Sequence, residues 1–149
     1  MARSYSKNRE RNEAARKPGA CRAIVVRQRP GRPAQGLLSW GGSVFPCALG
    51  RGGISALKRE GDGATPLARM RLIRGYFRGG RLPQRRSGLT LARIGRRDGW
   101  CDAPGDRNYN RPVRLPYPAS AEAMLRPDRL YDCCIVLDWN LMPRRHNMG

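Results

Sequence analysis

The chain has 149 residues, 40% of them hydrophobic and 7% aromatic, with 18 Gly and 12 Pro. That is enough apolar material for one folded domain and too much for a wholly disordered chain, and the Gly and Pro content favours a turn-rich β or α+β architecture over a helical bundle. The formal charge of +19 would attract phosphate and other polyanions, but it is nearly all arginine, with lysine only at Lys7, Lys17 and Lys58. Its spread along the chain fits a polyanion site and equally fits an arginine-biased ordinary surface.

The first twenty residues, MARSYSKNRERNEAARKPGA, are basic and have no apolar core behind them. They fail as a secretory signal, and residues 1–22 are expected to form a disordered basic tail. No apolar run reaches the length of a membrane span. Structure is expected from Ala23, where AIVVRQR has the β-branched character of a strand and PGRPAQG follows as a loop. Strands are predicted at Leu37–Trp40 and Ser43–Leu49, joined by Gly41 and Gly42, because two residues that tolerate positive φ make a tight hairpin turn.

From Gly50 to Pro66 the chain carries five glycines and no sustained period, so an extended surface loop is expected. The glycines do not form a phosphate cradle, since GxxxxGK[ST] is absent. LARMRLIRGYF alternates apolar and arginine residues around Met70–Leu72, which predicts a half-buried strand. Between Ala64 and Arg97 there are ten arginines and no acid. Arg69 to Arg97 is therefore the local candidate for nucleic-acid contact, and a solvated arginine-rich hairpin accounts for the same pattern. Further on, Ser120 can cap a short helix through Glu122, Ala123, Met124 and Leu125, and LYDCCIVLD is a strand buried on at least one face.

Five cysteines (Cys21, Cys47, Cys101, Cys133 and Cys134) and a single His146 offer no CxxC pair and no metal-ligand spacing. Neither a metal nor a cofactor is expected, and an odd, unpaired cysteine set reads as reduced, mostly buried thiols. Cys133 and Cys134 are adjacent on a strand, so they face opposite ways and cannot act on one atom. His146 sits among Pro143, Arg144 and Arg145 with nothing to orient it as a base, and is expected to be exposed. Asp98, Asp102 and Asp106 have loop-like spacing that does not set two carboxylates at a catalytic separation.

The succession CALGRGGISALKREGDGATP, an MRLIR strand, DGWCDAPGDRNYNRPVRLPYP and LYDCCIVLDWN resembles the L,D-transpeptidase catalytic domain, the YkuD-like family of bacteria, from about Ala23 to Gly149. KREGDGATP and DRNYNRPV carry most of the likeness. The resemblance implies a mainly β, sandwich-like fold with long loops, one short helix and an incomplete C-terminal end. It also implies cysteine acyl transfer on peptidoglycan peptide stems, in the periplasm or cell wall. The family's nucleophile lies in a Ser/Thr-x-Gly-Cys loop preceded by a histidine. No such motif occurs here, so no catalytic residue is assigned and the chain is expected to be inactive, with an unpaired sheet edge at Leu130–Asp138. By the same resemblance Tyr109, Asn110 and Arg111 are candidate substrate-side residues for an acidic stem. Pinning of their own loop is the competing role for Asn110 and Arg111. The expectation is thus a partial domain over residues 23–149, or alternatively a small basic nucleic-acid-binding protein or a peptidoglycan-binding scaffold without chemistry.

Overall fold

A computed structural model describes residues 23–81 and 87–148. The basic tail, Cys21 and part of the Arg69 to Arg97 stretch lie outside the described residues. The protein is all-β: eleven strands form four small sheets, and no helix occurs among the described residues. The chain divides into two compact units, one ending at Gly53 and the other beginning at Ile54.

The first unit is a three-stranded antiparallel meander of β1 (Val25–Arg29), β2 (Arg32–Trp40) and β3 (Ser43–Ala48). The predicted hairpin is present, with Gly41 at φ 56° and Gly42 at φ 83°, the positive angles that a two-residue primed turn requires. The loop expected over PGRPAQG shrinks to Pro30 and Gly31, because Arg32–Gln35 continue β2 and pair with the neighbouring strands. Pro33 and Pro46 are tolerated in a sheet whose residues are nearly all exposed. Gly36 is the exception. A Cβ there would stand 2.9 Å from Cys47 Sγ and 3.0 Å from the Arg27 carbonyl oxygen, so the close approach of three strands admits only glycine.

The second unit holds the core. The expected loop after Gly50 contains only the two-residue parallel pair β4 (Ile54–Ser55) and β5 (Thr65–Pro66). The predicted arginine-alternating strand is β6 (Leu72–Phe77), the centre of a sheet flanked by β11 (Cys133–Leu137), antiparallel, and β7 (Leu91–Arg93), parallel. Among the described residues β11 lies at the edge of this sheet. A third sheet, ordered β10-β8-β9, is built from β8 (Asp98–Cys101), β9 (Arg111–Arg114) and β10 (Ala121–Ala123). Tyr76, Ile94 and Met124 form the buried cluster, with Leu125, Tyr131, Cys134 and Val136 packed against it.

The expected helix from Ser120 is a correction. Ala121–Ala123 pair with Cys101, Trp100 and Gly99 as β10, and the Met124 amide donates to the Asp98 carbonyl (2.9 Å). Helix propensity in so short a segment is worth a few tenths of a kcal/mol per residue, about the level that a ladder of non-local hydrogen bonds overrides. The loop-like reading of Asp98 fails for a similar reason. Asp98–Cys101 and Arg111–Arg114 are partners in an antiparallel ladder whose hydrophobic alternation is too short to register in sequence.

Candidate functional site

The two stretches that carry the resemblance meet in the second unit. KREGDG forms a turn organised by Asp62, whose carboxylate accepts from the Arg59 amide (2.7 Å) and the Ala64 amide (2.8 Å) and pairs with Lys58 Nζ at 2.8 Å. The Lys58 hydrogen bond and these two amides lower the Asp62 pKa from 3.8 to about 2. Glu60 stands next to this turn. Its carboxylate accepts a hydrogen bond from the Tyr109 hydroxyl, and its amide donates to the Asn147 carbonyl at 3.0 Å. Tyr109 is 2% exposed, so a phenol from DRNYN is buried with its oxygen satisfied by an acid from KREGDG.

DRNYN is itself an ordered turn. Asp106 accepts from the Asn108 amide at 2.6 Å and the Tyr117 hydroxyl at 2.8 Å, while Asn108 Nδ2 donates to the Tyr117 oxygen at 2.8 Å. The amide bond first, and then the phenol, hold the Asp106 carboxyl below its ordinary range. For Tyr117 the Asn108 bond acts downward, but the Asp106 carboxylate and burial together raise its pKa. Asn110 adopts φ 57°, a left-handed conformation that asparagine tolerates better than most residues. Its amide donates to the Cys101 carbonyl at 2.8 Å, and its Oδ1 accepts from Trp100 Nε1 at 3.1 Å. Its Nδ2 donates to the carbonyls of Asn140 (2.9 Å) and Trp139 (3.3 Å).

The stretch beyond β11 closes over the same turn. Arg144 Nη1 donates to the carbonyls of Arg107 (2.7 Å) and Tyr109 (2.9 Å), and Asn140 clamps its own turn through the Arg145 amide and carbonyl. His146 is exposed, as expected, yet its ring is fixed: Nδ1 meets the Pro104 carbonyl and the ring stacks on Tyr109 with centroids 6.4 Å apart.

The three candidate residues therefore separate. Tyr109 and Asn110 are committed to internal contacts, whereas Arg111, the first residue of β9, is exposed. A cleft of about 570 Å³ lies alongside and is walled by their neighbours Asn108, Pro112 and Val113, with Tyr117, Arg93 and Arg114. Glu60 and Tyr117 were not singled out from the sequence, Arg144 entered only as a neighbour of His146, and Asp106 was weighed only as a member of a carboxylate set, not as the organiser of this turn. The D-G pair at Asp62 and the D-x-N spacing at Asp106 are local turn signals and could have located the two carboxylates.

Among the four described thiols none has a nucleophile's surroundings. Cys101 is fully buried. Burial raises the Cys134 thiol above its ordinary pKa, and the neighbouring Cys133 adds to that. Cys133 is exposed rather than buried, because it opens an edge strand and faces away from the core that Cys134 touches. No group of three metal-ligating side chains is present among the described residues. Compared with known proteins, the chain matches no family model, no curated protein and no solved structure.

Proposed function

We propose that this chain is an L,D-transpeptidase-like scaffold that binds the peptide stems of peptidoglycan without acyl transfer. The observation that carries this reading is the cleft beside DRNYNRPV. Asn108, Pro112 and Val113 from that stretch supply its wall, and Arg93 and Arg114 supply guanidinium donors suited to the carboxylates of an acidic stem, Arg114 while also paired with Asp98, which lines the cleft too. The turn is held before any ligand arrives, since Tyr109, Asn110 and Arg144 tie two distant segments to it, and preorganisation lowers the ordering cost of binding.

The chemistry the family performs needs a thiolate, a base and oxyanion donors around one carbonyl. Here the described thiols lie outside the cleft, His146 is held by the Pro104 carbonyl, and the sequence contains no Ser/Thr-x-Gly-Cys. Binding without turnover is the activity these features support. Sedimentation with purified sacculi tests it: the chain should be retained and Arg114→Gln should weaken retention, while muropeptide analysis should show no new cross-links or exchanged stems. Passage through sacculi without retention, or stem exchange by the purified chain, would each refute the proposal.

A further inference from the structure

A second groove, of about 420 Å³, opens between the end of β6 and the segment following β7. Its walls are Arg78, Gly79, Arg93, Ile94, Gly95, Arg96 and Leu125, three arginines with no carboxylate among them. The acids around it are already committed. Asp98 accepts from the Gly95 amide at 2.8 Å and pairs with Arg114. Asp132 pairs with Arg81 at 3.1 Å, Glu122 and Asp128 both pair with Arg126, and Asp138 pairs with Arg71 at 2.9 Å. Among the described residues the fold thus pairs the arginines at the margins of this region and leaves those in the groove outside any ion pair, with Arg78 acting on the Asp128 carboxylate only at longer range. Arg78 is oriented by donation to the Arg126 carbonyl, and Arg93 and Arg96 remain exposed.

We propose that this groove is an anion site for the phosphodiester backbone of a nucleic acid. Guanidinium groups present planar forks of donors that match phosphate oxygens, and three of them converge from two segments that are separate in sequence. The groove contains no aromatic side chain on which a base could stack, so contact is with the backbone and carries little sequence preference. The site is distinct from the stem-binding reading: it shares only Arg93 with the larger cleft.

The test is fluorescence anisotropy of the full chain with a labelled oligothymidylate of about twenty nucleotides, titrated between about 50 and 200 mM salt. Arg93→Gln with Arg96→Gln should weaken binding about tenfold and reduce the slope of log affinity against log salt by about 1.4, the release expected for two lost phosphate contacts on a single strand. Arg27→Gln with Arg51→Gln removes the same charge from the first unit and should change affinity by no more than about twofold. Both pairs are exposed, so circular dichroism should report an unchanged fold for each. Inorganic polyphosphate should displace the oligonucleotide and polyglutamate should not. Equal losses in the two double variants, binding insensitive to salt, absence of binding, or equal displacement by polyglutamate would each overturn the proposal.

Discussion

The two units use strands in opposite ways. In the first, one antiparallel meander leaves most of its apolar side chains open, with Trp40 at 55%, Val44 at 59% and Phe45 at 48% exposure, and it buries little beyond Gly36. In the second, shorter strands and long turns enclose Cys101, Tyr109 and the Tyr76–Ile94–Met124 cluster. Regular hydrogen bonding therefore does not track burial in this protein. The unit with the longest strands has its side chains in solvent, and the unit rich in irregular backbone keeps that backbone by anchoring it with buried side chains.

Four perturbations sharpen this contrast. The largest effect is expected from Tyr109→Ala, which removes a buried aromatic and leaves Glu60 without its phenol partner. A loss of about 3–5 kcal/mol is the usual cost of such a truncation, read as a lower urea midpoint for the second unit, with the backbone signal of the first unchanged. A fully cooperative loss of both units would break the comparison. Asn110→Ala comes next, at about 2–3 kcal/mol, because it combines a left-handed backbone with the loss of the side-chain bonds to Trp100, Trp139 and Asn140. Amide hydrogen exchange should then accelerate in both the 106–110 turn and the 139–145 segment.

Gly42→Ala probes the first unit alone. At φ 83° with open space around it, the cost is backbone strain of about 1–2 kcal/mol, and exchange should quicken across β2 and β3 only. The smallest effect is pH-dependent. Asp62 has a folded pKa of about 2 against an ordinary 3.8, so its contribution to stability is fully present above about pH 4 and is lost as the pH falls through 2. The second unit should weaken over that window, and Asp62→Asn should flatten that part of the pH profile. An unchanged profile would show that the Lys58, Arg59 and Ala64 contacts do not hold the turn in solution.

Legibility from sequence followed the range of the interactions. The Gly41-Gly42 hairpin, β1, β6 and β11 were readable because period-two patterning and turn residues act within a few positions. β8, β9 and β10 were not: Ala121–Ala123 carry helix-compatible residues, and only pairing with Asp98–Cys101 makes them a strand. The candidate residues divide in the same manner. Tyr109, Asn110 and Arg111 were singled out by resemblance, yet the role of Asn110 as a clamp on Asn140 depends on two segments that sequence separates. The exposure of Cys133 beside half-buried Cys134 follows from β11 lying at a sheet edge, and no local pattern states that.

The sequence by itself determined the mainly β character, the primed hairpin, the opposed faces of Cys133 and Cys134, the strong positive charge and the absence of a Ser/Thr-x-Gly-Cys motif, while the helix it suggested from Ser120 is a strand. All of these depend on residue type or on spacings of a few positions. Only the tertiary structure decided that KREGDG, DRNYN and the segment after β11 form one anchored turn system, and that among the described residues Arg78, Arg93 and Arg96 stand outside any ion pair while their neighbours are paired. The reason is physical: a buried phenol must find an acceptor and an exposed guanidinium need not, and which partner comes within reach is set by contacts across many residues of chain.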